Sequence, residues 1–401
     1  MSGSLFEDRA GGLRFDADFA TGSSGPVRLL ADGRYEAQPQ EEPVEAWFTA
    51  ALEEHFGGAG VPREYACNLR IKAERDRQVD LRFCFTQTNG KNYMAPPYWI
   101  YRRDCWRPLP AAATVYVPGE YVDVRFSVAA GEEVRVANKP FYAPAEIGRQ
   151  MEDLAGLSPL FQLRQYGSTH GGRPLLALET EARPETIVVG ATLQPAEPAA
   201  RPVLAVAHWL TDRSALSQRL LERFRFCFVP LGNPDGAAAG HSVTNGLGEV
   251  PMFSFGHLLE GRPAPLETRH LWTYMEAVEP TAYIEFHTHY QDNHLHKLNN
   301  MAAAWFTPEK RPLAERVDQR LLTLNSQWRV TPLEPTTPLV QCGKFAHLAA
   351  RLQALAYCYQ IYAVTQEATA SHAVNAVAAL AQGLAGPEWA AVEMVPHLVP
   401  G

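Results

Sequence analysis

The sequence predicts a two-part α/β protein: an antiparallel β-sandwich over residues 1–140, then a mixed β-sheet flanked by helices over 141–401. Three observations carry that expectation. Before Pro140, short segments alternate polar and apolar residues with the period of two expected of half-buried strands. After it, short apolar runs are separated by helix-length stretches, as in a largely parallel or mixed sheet covered on both faces. The chain of 401 residues is long enough for two parts that each bury a core.

In the first part, Asn68–Ala73, Val79–Phe85, Thr114–Val117 and Tyr121–Val128 alternate as strands do. Asn89-Gly90 is a hairpin turn signal between such runs. Trp47–Phe56 has helical spacing and is predicted as an insertion. The boundary falls near Asn138-Lys-Pro140. Beyond it, Ala145–Leu154 is predicted helical, and buried strands are expected at Thr186–Val189, Arg225–Pro230, Thr281–Phe286 and Tyr359–Val364. The Ala-rich Ser371–Leu384 is expected to be a packing helix.

Composition excludes several function classes. A net charge of −8 with no dense Lys/Arg tract argues against a nucleic-acid surface. No run approaches the ~20 apolar residues of a membrane helix. The polar, acidic start Met1-Ser-Gly-Ser-Leu-Phe-Glu-Asp is no secretory signal. Six scattered cysteines without a Cys-x-x-Cys pair suit reduced thiols in a cytoplasmic protein. Oligomeric state is not specified.

Four segments at predicted strand ends carry polar residues that could converge: Gln194-Pro-Ala-Glu197, Asn233-Pro-Asp-Gly236, His287-Thr-His289, and Glu367 after Thr365-Gln366. Most also have a plain structural explanation. Glu197 precedes a predicted helix, where a carboxylate complements the dipole. Every residue of Asn233–Gly236 suits a turn. His208 is expected to pack, and His294 and His296 to be solvated or substrate-facing in a polar loop. Glu367, placed at the end of a buried strand, would be costly there without a role.

In order and spacing these segments resemble the zinc carboxypeptidase family, most closely its cytosolic, deglutamylase-like branch with an N-terminal β-sandwich. Tyr166-Gly-Ser-x-x-Gly-Gly-Arg-Pro-Leu175, Pro230-Leu-Gly-Asn-Pro-Asp-Gly236 and Glu285-Phe-His-Thr-His289 are similar to family motifs. The resemblance implies zinc held by Glu197, His287 and the residue at position 194. It implies Glu367 as general base and acid toward a metal-activated water attacking an amide in a peptide or small amide.

Two departures stand out. Gln194 occupies the place of a family histidine, and an amide oxygen is a weaker donor to zinc than an imidazole. His289 is a possible substitute, although on a regular strand it would sit roughly 6–7 Å beyond His287. The family's carboxylate-gripping arginines fall on Val243 and on Met252-Phe253, leaving a possible apolar substrate pocket lined by Met252, Phe253 and His289. Two functions are therefore expected as alternatives. One is an amide hydrolase with an altered metal site, binding zinc, another divalent metal or none; the other is a catalytically inactive binding or scaffold protein.

Overall fold

The computed structural model describes residues 5–55, 66–84, 94–291, 295–302, 305–323, 329–333, 339 and 342–389. The predicted Asn89-Gly90 turn and His294 lie outside them.

The first part contains β1 (Phe6–Asp8), β2 (Leu13–Asp16), β3 (Val27–Leu29), β4 (Tyr35–Ala37), helix α1 (Ala46–His55), β5 (Asn68–Ala73) and β6 (Arg77–Cys84). It continues with β7 (Trp99–Arg102), β8 (Cys105–Pro108), β9 (Thr114–Val117), β10 (Tyr121–Val128) and β11 (Glu133–Ala137). They form two sheets, ordered β1-β2-β5-β11-β7-β8 and β3-β4-β6-β10-β9. The alternation seen in the sequence reports burial directly: Val79, Leu81 and Phe83 of β6 point into the core while their neighbours are only partly covered. One pairing departs from the antiparallel expectation, since β4 runs parallel to β6. Its three residues follow β3 through a short hairpin and pair antiparallel with it.

The second part begins with α2 (Pro144–Leu157), β12 (Gln162–Ser168), β13 (Pro174–Glu179), β14 (Glu185–Ala191), α3 (Ala200–Leu210), α4 (Ala215–Arg223), β15 (Phe224–Val229) and α5 (Pro234–Ala239). There follow α6 (Phe255–Leu259), α7 (Leu266–Val278), β16 (Ala282–Thr288), β17 (Lys297–Met301), α8 (Arg311–Thr323), β18 (Arg329–Leu333), α9 (Lys344–Leu352), β19 (Leu355–Ile361) and α10 (Gln366–Ala385). One mixed sheet runs β12-β13-β15-β14-β16-β19-β17-β18, with β15, β14, β16 and β19 mutually parallel. The four central strands are almost wholly buried, which accounts for their largely apolar sequences and makes the buried Glu285 and His287 of β16 exceptional. Helix α10 packs on α3 and α8, α7 lies along β12, and α9 lies against β19.

The last strand corrects the sequence expectation. It runs Leu355–Ile361 rather than Tyr359–Val364, and the helix after it starts at Gln366 rather than at Ser371. The Thr365 hydroxyl accepts a hydrogen bond from the Ala368 amide at 3.1 Å and caps that helix.

Two apolar cores result. One gathers residues from Leu13 to Phe141, and the other begins at Ile147. The first also takes in Ala196, Val243, Val250 and Tyr290 from the second half of the chain.

Candidate active site

Strand β15 lies on one side of β14 and β16 on the other, so the order of strands reverses around β14. The crevice at the carboxyl ends of such strands is where open α/β sheets build their sites. Gln194–Glu197 leaves the end of β14, and His287 is the penultimate residue of β16. Thr192 and Tyr290, neither of them glycine, take left-handed backbone conformations with φ of 59° and 52°. Such positions cost of order 1–3 kcal/mol and need support from their surroundings. They turn the chain out of β14 and out of the end of β16. His289 therefore does not continue a regular strand, although its amide still donates to the Ile361 carbonyl at 3.0 Å.

The loop is pinned from several sides. The Ala196 amide donates to the Ser242 carbonyl at 3.1 Å, and the Thr288 hydroxyl donates to the Pro198 carbonyl at 2.5 Å. The Asn233 side-chain amide donates to the carbonyls of Leu193 (3.3 Å) and Thr244 (3.1 Å), while its oxygen caps α5 at the Gly236 amide. Asp235 accepts from Thr169, the Gly171 amide and Arg173, tying this turn to the Ser168–Pro174 connection. The Asn-Pro-Asp-Gly segment thus serves as a structural clasp.

At the centre, Nδ1 of His287 is hydrogen-bonded to Oε2 of Glu197. Nε2 of the same ring lies 3.2 Å from Oε1 of Glu285. Residues 285 and 287 share a face of β16, so this stack follows from the strand period. Behind Glu285, the Tyr283 hydroxyl donates to Oε2 at 2.6 Å, and Lys344 contacts the same oxygen and donates to Tyr283 at 2.6 Å. Gly190 pairs with Glu285 across the sheet, and a Cβ there would come within 2.3 Å of the Tyr283 oxygen. Glycine is what leaves room for that hydroxyl. Glu197 is 4% exposed and His287 2%, so the pair is shut away from solvent.

Charge explains how so many ionisable groups are tolerated. Burial would raise the Glu197 carboxyl, yet the positive charges available at His289 and His287, the His287 hydrogen bond and Lys139 outweigh it and bring it down to about 2. Burial opposes charging of His287 as well, but Cys358 and Glu197 push it up to about 10. His289 goes the other way, to about 3, because burial dominates. At neutral pH the compensation of Glu197 therefore comes from His287 and Lys139. Lys139 is fully buried, donates to the Ala196 carbonyl at 2.6 Å, and is lowered to about 8 by burial against the opposing pull of Glu197.

Not every predicted residue joins this cluster. Gln194 is half-buried, and its backbone carbonyl accepts from the Glu197 amide at 3.0 Å. His289 is buried and stacks on Tyr362, with ring centroids 4.4 Å apart. Met252 is buried in the second core, and Phe253 packs on Phe48 of the first half with ring centroids 5.3 Å apart. Val243 is buried in the first core, and its amide and that of Ser242 donate to the Glu42 carboxylate at 3.2 and 2.6 Å. A carboxylate thus holds the segment that the resemblance would equip with arginine.

Glu367 stands at a helix start rather than at the strand end expected for it. It lies in the first turn of α10, exposed, where it suits the helix dipole. It lines a groove of about 520 Å³ with Asp104, Cys105, Tyr142, Glu146, Arg201 and His208, and neither Glu197 nor His287 lines that groove. The residue opposite His287 in register is Gln360. His208 is exposed rather than packed, and His296 is buried, its Nδ1 accepting from the Tyr362 amide at 3.0 Å. The sequence pattern did not reveal Lys139 or Lys344. Tyr283 and Glu285 had a signal, since both share the face of His287 on β16.

A divalent ion finds an incomplete set of donors. On the far side of His287, Nε2 lies 3.2 Å from Oε1 of Glu285 without a hydrogen bond between them, so the ring lacks the second-partner bond usual for a metal-bound imidazole. Glu197 adds a carboxylate, and Gln194 could add only a neutral amide. Among the described residues no group of three or more His, Cys, Asp or Glu could hold a metal. Glu197 and His287 thus supply two strong donors, one short of the three protein ligands of a typical catalytic zinc.

Residues 147–256 match the sequence profile of the family described as Zinc carboxypeptidase. No curated protein sequence is significantly similar to the chain. Among solved structures, a metallo-carboxypeptidase from Burkholderia cenocepacia superposes with a TM-score of 0.73 at 13% identity, covering 93% of this chain and 99% of that one. A metallo-carboxypeptidase from Pseudomonas aeruginosa, in complex with (2-guanidinoethylmercapto)succinic acid, gives 0.71 at 15% identity, with 92% and 98% covered. At these identities the likeness is one of fold, and it extends over both parts of the chain.

Proposed function

We propose that the protein is a carboxypeptidase-like hydrolase of an amide bond in a peptide or small amide, with an altered metal site and altered substrate recognition. The observation that carries this is His287 held between Glu197 and Glu285 at the switch point of the sheet. Glu197 and His287, with the amide of Gln194, would hold a divalent ion, which when bound supplies an acidic water and polarises a carbonyl. Glu285, braced by Tyr283 and Lys344, sets a carboxylate oxygen 3.2 Å from Nε2 of His287. No cation stands at Val243, Met252 or Phe253 to grip a terminal carboxylate, which favours substrates without one. A cytosolic, deglutamylase-like relationship and a cytoplasmic setting belong to the same proposal, resting on the leading β-sandwich and the scattered cysteines.

The test is turnover of a panel of blocked and free-carboxylate peptides with added divalent metal. His287→Ala is expected to lower any turnover at least a hundredfold. Glu367→Gln, altered outside the cluster, is expected to retain it. Loss of activity in Glu367→Gln would return that residue to the role of proton carrier. A second function, a non-catalytic binding module, is favoured by the burial of the pair and by Lys139 beside it. Absence of turnover across the panel, with no divalent metal bound, would select it.

A further inference from the structure

We propose that Lys139 supplies, from the protein itself, the positive charge that a metal ion would bring to Glu197, so that the pocket holds together without metal. Lys139 then sets, with Gln194, how weakly a divalent cation binds. This rests on the assignment of Glu197 and His287 as the remains of a metal site.

The argument begins with burial. Lys139 is fully buried although it belongs to neither core's apolar lining. A buried ammonium is kept only where it is paired or hydrogen-bonded. Its ammonium reaches the carbonyl of Ala196, next to Glu197, and its charge acts on Glu197 and on His289. It comes from the connection after β11, so the first half of the chain provides this charge to a loop of the second. Glu197 accepts from His287 on another side. A carboxylate with a cation fixed at its loop and an imidazole at its oxygen already has the charge balance that a metal would otherwise give it.

Competition follows. A divalent ion at Glu197 and His287 would face a like charge from Lys139 across a poorly screened interior. At an effective dielectric near 20, such repulsion lowers affinity by about tenfold to a hundredfold or more. Restoring the missing imidazole at position 194 therefore repairs only part of the deficit. Methionine at position 139 keeps most of the stem volume and removes the charge.

The experiment compares the wild type, Gln194→His, Lys139→Met and the double variant, with zinc alone titrated against a chromogenic chelator and thermal unfolding followed with and without zinc. Lys139→Met is expected to raise zinc affinity at least tenfold, both in the wild-type protein and when added to Gln194→His. It is also expected to melt lower than the wild type without zinc and to recover with zinc, because an ion bound only by the folded state stabilises it. A change of less than twofold on removing Lys139 while Gln194→His alone binds zinc tightly overturns the proposal and leaves the metal-site assignment standing. No zinc binding by the double variant overturns both. Glu197→Gln added to the double variant is expected to abolish binding, and persistence of binding would place the ion elsewhere and overturn the proposal. Should Lys139→Met fail to fold alone, circular dichroism in zinc decides: recovery supports the proposal, and continued unfolding refutes it.

Discussion

Glu197 and His287 stabilise one another, and their opposite shifts define a window of pH. A carboxyl brought down from 4.5 to about 2 contributes stability that is present above pH 4.5 and lost as pH falls through about 2. An imidazole raised from 6.5 to about 10 contributes stability that is complete below pH 6.5 and lost as pH rises through about 10. Urea unfolding from about pH 3 to about pH 10 should therefore show both flanks. In Glu197→Gln both should flatten, with a loss of about 3–5 kcal/mol near neutrality, because Lys139 and His287 keep buried charge without its partner. Identical profiles for the two proteins would refute the pairing. Gly190 serves the neighbouring carboxylate: a side chain there would displace the tyrosine that donates to Oε2 of Glu285.

Elements, rather than single groups, explain what could be read in advance. The loop after β14 and the histidine ending β16 were legible because buried parallel strands declare themselves as apolar runs and sites gather at their carboxyl ends. The end of β19 was not. Leu355–Val364 is apolar or aromatic almost throughout, so its pattern does not say where pairing stops. The Thr365 cap decides it, and Glu367 passes from a strand end to a helix start. Lys139 and Lys344 were illegible for another reason: a lysine reads as surface unless its distant partners are known. Short α5 gives a test at this scale. Asn233 caps it and also satisfies two loop carbonyls, so Asn233→Ala should cost more than the ~1 kcal/mol of an ordinary cap, on the order of 2–3 kcal/mol by chemical denaturation. A loss below about 1 kcal/mol would show that the clasp contributes only its cap.

At the scale of the molecule, Ala196, Val243, Val250 and Tyr290 are folded into the core of the β-sandwich, while Lys139 of the first half anchors the loop of the second. Gln291 adds a hydrogen bond to the Ala95 carbonyl at 3.1 Å, and Tyr290 meets Trp99 edge-on at 5.4 Å. The consequence is cooperativity. Neither half can melt without stripping the other of part of its interior, so calorimetry should record one endotherm whose calorimetric and van't Hoff enthalpies agree. Two resolved endotherms would mean that the seam is weaker than its burial suggests. A chain begun at residue 144 would present the apolar backs of Ala196 and Tyr290 to water, and should aggregate rather than survive as a smaller enzyme-like unit.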